Sequence, residues 1–137
     1  MYPPDLVAPM NKDLTDHGFE GLSTPEAVDA VLQNQQGTAL LVVNSVCGCA
    51  AANARPGVKM SLGADQKPDK LYTVFAGVNR EATEKARQYL LPYPPSSPSI
   101  GLFKDGKLVH FIERHHIEGR SAEMIATNLK MAYERFC

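Results

Sequence analysis

The chain lacks an excess of charge of either sign, and it lacks long apolar runs. Its 14 Lys and Arg residues balance 15 Asp and Glu residues for a net charge of −1, and the basic residues are scattered, which argues against a nucleic-acid-binding face. The longest apolar runs, such as Ala39–Val43, fall far short of the roughly 18 residues that cross a bilayer. We therefore expect neither nucleic acid nor a membrane as a partner.

Cysteine is scarce as well, since the chain has only three. An odd number, with two of the three almost adjacent, cannot form the disulfide framework of a small secreted domain. The N-terminus, Met1–Asp5, also lacks the basic start and the apolar stretch of a secretory signal, so we expect a cytoplasmic location. At 137 residues with 44% apolar content, the chain fits a single domain over residues 1–137.

Two of the cysteines stand at a predicted strand-to-helix turn, which we interpret as a redox site. The aliphatic run Ala39–Val43 predicts a buried strand, and the alanines of residues 50–54 favour a helix soon after it. Cys47 would then lie at the start of the helix, where unpaired N–H groups and the helix dipole lower the pKa of a thiol. Cys47 is therefore the predicted nucleophile and Cys49 the second redox cysteine, with Gly48 relaxing the tight ring that a disulfide between them would close.

Two other interpretations of the cysteines stay open. Small apolar thiols often pack between a helix and a strand without any chemistry. Cys47 and Cys49 could also supply half of a tetrahedral zinc site. The other half would have to come from Cys137, His115 or His116. Adjacent histidines in a charged loop are usually solvated, and Cys137 is the terminal residue, so no metal is expected.

The remaining pattern predicts an α/β fold in which two strands are joined by a helix as a right-handed parallel crossover. Asp105-Gly106 is a strong signal for an antiparallel hairpin. The prolines and the irregular apolar spacing of residues 1–22 predict an extended N-terminal arm, with at most a turn of helix at 11–16. The predicted strands are 38–44, 71–76, 99–104 and 107–112, and the predicted helices are about 24–37, 49–62, 79–91 and 121–136. Ser23 or Thr24 would cap the first helix, Asn79 the third and Ser121 the fourth, and Pro56 would kink the second.

This order of elements resembles that of thioredoxin-like domains, which implies a central mixed four-stranded sheet with helices on both faces. In such domains a proline preceded by a cis peptide bond lies opposite the cysteine turn, and Pro98 after Ser97 matches it. The chain further resembles the bacilliredoxin family, small bacterial proteins with a Cys-Gly-Cys site, over essentially its whole length. The segments that carry this resemblance are Asn44–Ala50, Arg55–Gly57, Pro95–Ser99, Arg114-His115 and the terminal Cys137.

The resemblance to bacilliredoxins implies a specific reaction. Cys47 attacks a mixed disulfide between a client protein and the small thiol bacillithiol, so that the client is freed and Cys47 becomes S-bacillithiolated. Cys49 or a second small thiol then removes the bacillithiol. Bacillithiol would be the co-substrate and bacillithiolated proteins the partners, with no bound cofactor. Gly48, Ser97 and Pro98 would position the substrate.

Two alternatives to this reaction stay open. The Cys47–Cys49 couple could act as a general disulfide oxidoreductase or isomerase, although its single intervening residue, in place of the two in the usual thioredoxin site, favours monothiol exchange at Cys47. Alternatively, the chain is a non-enzymatic domain that binds a metal or a partner. Arg114 and His115 could attract the carboxylates of bacillithiol, but we expect them to lie in a solvated charged loop.

Overall fold

Five strands form the central sheet of the computed structural model, which describes residues 2–137, so that Met1 of the predicted arm lies outside it. The strands are β1 (Glu20–Gly21), β2 (Thr38–Asn44), β3 (Lys70–Phe75), β4 (Ser99–Lys104) and β5 (Lys107–Ile112). Their order across the sheet is β1-β3-β2-β4-β5. β3 is parallel to β1 and β2, whereas β4 is antiparallel to β2 and β5. The predicted parallel crossover and the predicted hairpin are both confirmed.

Helices cover both faces of this sheet. The α-helices are α1 (Pro4–Thr15), α2 (Pro25–Leu32), α3 (Arg55–Ser61), α4 (Arg80–Tyr89) and α5 (Ala122–Phe136). A π-helical segment, Ala50–Ala54, leads into α3, and a short 3-10 turn, Arg114–His116, follows β5. Within residues 2–137, none of the helices is both long and apolar enough to cross a membrane.

The alternation of side chains along β2 divides the core into two layers. Leu40 and Val42 belong to the layer between the sheet and α1, α3 and α5. Leu41 and Val43 belong to the opposite layer, which α2 and α4 cover. All residues of β2 are buried, which is why the strand is a continuous apolar run in the sequence. The prediction of a buried strand with helices on both faces is confirmed.

The N-terminal residues are helical, so the prediction of an extended arm over residues 1–22 is wrong. α1 begins at Pro4, and a proline at the first helical position presets the backbone for a helix. Val7 and Leu14, seven residues apart, are buried and form an apolar stripe that the irregular spacing concealed. Pro9 lies inside α1 without ending it.

A fifth strand corrects the predicted four-stranded sheet. β1 has only two residues and lies at the edge of the sheet beside β3, where the Leu22 N–H donates to the Thr73 carbonyl oxygen at 2.8 Å. Both residues of β1 are exposed. Because the strand is so short, no alternation of apolar and polar residues marks it in the sequence.

The helix after the cysteines is interrupted near Pro56, as predicted, but the irregular part precedes the proline. Ala50–Ala54 form a wide π-helical turn, and the α-helical pattern resumes in α3 with Pro56 in its first turn. Gly57 then lies against α5, where a Cβ atom would come within 2.8 Å of Ile125. The glycine therefore allows α3 and α5 to approach each other closely.

Local capping and turn signals set most of the other boundaries. Thr24, rather than Ser23, caps α2, because its hydroxyl accepts a backbone N–H of the first turn at 3.1 Å. Ser121 caps α5 in the same way. Asn79 occupies the N-cap position of α4, as predicted, but its side chain makes no capping hydrogen bond. Both residues of the Asp105-Gly106 turn have positive φ, as tight hairpin turns require.

Replacing Gly57 with alanine is expected to destabilise the protein, although alanine is the better helix former. The added methyl group would overlap Ile125 and lie 3.0 Å from the Ala122 carbonyl oxygen, and overpacking of this kind costs roughly 1–3 kcal/mol. Gly63→Ala is the matched control, since the nearest atom to its new Cβ would be 3.5 Å away. Urea unfolding measures both variants. A Gly57→Ala midpoint equal to that of the wild type would contradict the close packing of α3 on α5.

Candidate active site

Cys47 lies where the central strand passes into a helix. β2 ends three residues before it, and the helical backbone begins at Gly48. The carbonyl oxygen of Cys47 accepts the Ala50 N–H at 2.9 Å, and its own N–H donates to Ser45 Oγ at 3.1 Å. Cys47 and Cys49 are both free, partly exposed thiols. The chain thus forms the predicted strand-to-helix turn, with Cys47 at the start of the helix.

Arg114 and Cys49 both contact the sulfur of Cys47. Arg114 Nη2 lies 3.2 Å from Cys47 Sγ, and the Cys49 N–H donates to the same sulfur at 3.4 Å. The pKa of Cys47 is lowered from its ordinary value, first by a hydrogen bond from the Cys49 thiol. Partial burial opposes this effect, whereas the Cys49 N–H, the charge of Arg114 and a backbone N–H of the helix lower the pKa further. These contacts therefore favour the thiolate form of Cys47.

The pKa of Cys49 shifts in the opposite direction. Burial, the hydrogen bond to Cys47 and the negative charge of Cys47 together raise the pKa of Cys49 to about 11. The Cys49 side chain packs against the apolar layer under α1, α3 and α5. The contacts therefore favour ionisation of Cys47 before Cys49, with the Cys49 thiol donating its hydrogen bond to the Cys47 sulfur.

Arg114 connects the cysteine turn to the proline loop. Its Nη1 donates to the Ser97 carbonyl oxygen at 3.2 Å, and its backbone N–H donates to Ser96 Oγ at 3.4 Å. Its Nε pairs with Glu118 on the other side. The Ser97–Pro98 peptide bond is cis, as the resemblance implies. One guanidinium group thus contacts both the sulfur of Cys47 and the loop before β4.

Arg114 is exposed, as expected for a solvated loop, but it also contacts Cys47 and Ser97, which the sequence did not predict. The hairpin register offered a signal for its true position, because Ile100 pairs with Ile112. If the antiparallel register continues by two residues, residue 114 comes beside Pro98. His115 is 67% exposed, also in line with the expectation of a solvated loop.

The three predicted positioning residues have different surroundings. Ser97 and Cys47 line the same cavity, which has a volume of about 540 Å³, and Pro98 is buried. Gly48 is exposed, and no atom lies within 4 Å of the position that its Cβ would occupy. The surface at Gly48 is therefore open to an incoming disulfide.

A buried arginine fixes the turn that carries Cys47. Arg55 is only 5% exposed, and its Nη1 donates to Asn44 Oδ1 at 2.9 Å and to the Ser45 carbonyl oxygen at 3.0 Å. Its Nε pairs with Asp13 of α1 at 3.2 Å, which compensates the buried charge. The sequence gives no hint of this role, because the contacts depend on how the helix folds back on the end of β2 and on Asp13, which is 42 residues away.

The residues of the zinc alternative do not come together. Cys137 lies near Thr38, at the start of β2, whereas the other two cysteines follow the end of that strand. Glu113, His115 and His116 bring a carboxylate and two imidazoles within 4.8 Å of one another, but this group contains no cysteine. The cysteine pair therefore does not form a four-ligand site with the residues suggested by the sequence.

Replacing Arg114 with glutamine is expected to raise the pKa of Cys47, because the nearby positive charge that favours the thiolate is lost. Ultraviolet thiolate absorbance against pH, measured in a Cys137→Ser background, reports this change. Arg120→Gln is the matched control, because Arg120 is also exposed and its replacement changes the net charge by the same amount. A titration of Arg114→Gln that superimposes on the unsubstituted protein would contradict the role of this guanidinium.

Comparison with known proteins identifies close relatives. The family model described as Disulphide isomerase matches residues 2–137. A bacilliredoxin of Cytophaga hutchinsonii is 63% identical over 134 residues, which cover 98% of each chain. A bacilliredoxin of Halalkalibacterium halodurans is 52% identical over 136 residues, which cover 99% of this chain and 94% of the relative.

Solved structures of thioredoxins share the fold at low sequence identity. Thioredoxin of Fasciola hepatica has a TM-score of 0.58 at 20% identity, covering 87% of this chain and 100% of its own. Mitochondrial thioredoxin 3 of Saccharomyces cerevisiae has a TM-score of 0.57 at 15% identity, covering 90% and 98%. The predicted thioredoxin-like fold is confirmed. The chain therefore belongs to the bacilliredoxin family, and its fold and its relatives together assign it a role in thiol–disulfide redox chemistry.

Proposed function

We propose that the protein catalyses thiol–disulfide exchange on client proteins that carry bacillithiol as a mixed disulfide, with Cys47 as the nucleophile. The observation that carries the proposal is the pair of contacts at Cys47 Sγ, from Arg114 at 3.2 Å and from the Cys49 N–H at 3.4 Å. A thiolate is the nucleophile in disulfide exchange, and both contacts favour it. The names of the relatives support bacillithiol as the small thiol. The reducing cytoplasm is the compartment that we propose for this reaction.

In the first step, the Cys47 thiolate attacks the bacillithiol sulfur of the mixed disulfide. A new S–S bond forms between Cys47 and bacillithiol while the old S–S bond breaks. The bonding electron pair leaves with the client sulfur as a thiolate, which takes a proton from solvent. The step needs no external oxidant or reductant, because one disulfide is exchanged for another. The open surface at Gly48 and the cavity beside Ser97 leave room for the two halves of the substrate.

In the second step, bacillithiol is removed from Cys47. Two of the causes that raise the pKa of Cys49 are its hydrogen bond to Cys47 and the negative charge of Cys47. Once Cys47 is in a disulfide, that charge is gone, so we expect the pKa of Cys49 to fall. Cys49 can then attack Cys47 Sγ, which releases bacillithiol and leaves a Cys47–Cys49 disulfide that small thiols reduce. A second bacillithiol can instead attack the bound bacillithiol sulfur, which regenerates Cys47 directly.

The description of the family model as Disulphide isomerase favours a second candidate function. In this function the Cys47–Cys49 couple would rearrange or reduce protein disulfides. It requires Cys49 in every cycle, because a client trapped on Cys47 escapes by attack of the second thiol. The monothiol route requires only Cys47 and free bacillithiol, so the two functions differ in their need for Cys49.

Cys49→Ser is expected to retain the removal of bacillithiol when free bacillithiol is supplied, and to lose isomerase and dithiol turnover. The removal of bacillithiol from a bacillithiolated peptide measures the first activity, and the refolding of a protein with scrambled disulfides measures the second. Cys47→Ser is the matched control and should lose both. If Cys49→Ser also loses both activities, the monothiol route is excluded.

Cys49→Ala is expected to shift the pH profile of bacillithiol removal to higher pH than Cys49→Ser does. Both variants lack the second sulfur, but the serine hydroxyl can still donate a hydrogen bond to Cys47 Sγ. Without this donor the pKa of Cys47 rises, and the thiolate forms only at higher pH. Stopped-flow rates between acid and alkaline pH report the profiles. Identical profiles would show that the side-chain hydrogen bond does not hold the thiolate.

A further inference from the structure

The cavity beside Cys47 has a basic wall that the exchange steps above do not use. Its volume is about 540 Å³, and Arg80, Arg87 and Arg114 line it together with Cys47. Arg114 is already engaged with the sulfur and with the Ser97 carbonyl oxygen. Arg80 and Arg87 are therefore the two guanidinium groups that remain for a ligand.

Helix α4 presents these two arginines on one side. Arg80 is the first residue of α4 and Arg87 follows seven residues later, a separation of about two turns. Glu84 lies between them, also lines the cavity and acts electrostatically on Arg87. Neither arginine takes part in an ion pair found among residues 2–137. This part of the wall therefore carries two positive charges against one negative charge.

Arg87 contributes a donor without an acceptor. Its Nε is buried and has no hydrogen-bond partner in the described part of the chain. Burial also lowers the pKa of Arg87 from its ordinary value. A buried guanidinium N–H that makes no hydrogen bond is unfavourable. A carboxylate matches the guanidinium fork in charge and in geometry.

We infer that Arg80 and Arg87 form an anion subsite that holds the carboxylates of the small thiol while Cys47 attacks its sulfur. The inference rests on the proposed function and narrows its substrate to low-molecular-weight thiols that carry one or more carboxylates. The cavity has the volume of a small-molecule site, which favours a small thiol over an extended acidic peptide.

The subsite decides which sulfur of the mixed disulfide is attacked. When Arg80 and Arg87 bind the carboxylates of the small thiol, its sulfur lies toward Cys47 Sγ and the client lies on the open side near Gly48. The new S–S bond then joins Cys47 to the small thiol, and the client sulfur leaves with the electron pair. The client is therefore released in the first step and is not trapped on Cys47.

Exchange rates on two mixed disulfides of one neutral peptide test the subsite. The peptide carries either bacillithiol or 2-mercaptoethanol, which has no carboxylate, and the ratio of the two rate constants is measured. Arg80→Gln and Arg87→Gln should each lower this ratio by about fivefold to tenfold, and added salt should lower it in the unsubstituted protein. Arg120→Gln, outside the cavity, should leave it unchanged. Arg87→Lys should restore part of the ratio, because it keeps the charge without the fork.

The possible results separate the subsite from the proposed function. An unchanged ratio in both glutamine variants, in a protein that still exchanges both disulfides, would overturn the subsite alone. A protein that exchanges neither mixed disulfide would overturn the proposed function and the subsite with it. A further arm uses 2-mercaptoethanol on peptides with acidic or neutral residues beside the cysteine. If Arg87→Gln changes the preference between these peptides and not the ratio between the thiols, the bound carboxylate belongs to the client and the assignment is wrong.

Discussion

The contact between Arg114 and the sulfur of Cys47 is the interaction on which the arrangement of the site depends. It joins two regions that are far apart in the sequence, the turn after β2 and the segment after β5. Because the same guanidinium donates to the Ser97 carbonyl oxygen, it also fixes the proline loop relative to the sulfur. The ionisation of Cys47 thus depends on the register of the β4–β5 hairpin as well as on the start of the helix.

The buried Arg55 and helix α1 hold the cysteine turn in place. Arg55 donates to Asn44 and Ser45 in that turn and pairs with Asp13 in α1. Removing one partner of a buried charge pair is strongly destabilising, so α1 supports the site and does not merely extend from it. Gly57 complements this support, because it lets the helix that follows the cysteines pack closely on α5.

Local patterns in the sequence were enough to predict much of the fold and the position of the cysteines. The apolar run of β2, the Asp105-Gly106 turn and the caps at Thr24 and Ser121 each depend on neighbouring residues. The contacts of Arg114 and Arg55 depend on strand register and helix packing, which a single sequence does not specify. The sequence does not predict α1, because its prolines favour an extended segment and its apolar stripe is short. It does not predict β1, because two exposed residues carry no pattern.

The central claim is that Cys47 ionises at a lower pH than Cys49. The most direct test is the order in which the two cysteines of the reduced protein react with iodoacetamide at neutral pH, followed by peptide mass spectrometry. Only the thiolate reacts, so the structure predicts that Cys47 is alkylated first and that this preference disappears in the unfolded chain. Equal rates in the folded protein, or earlier alkylation of Cys49, would contradict the account.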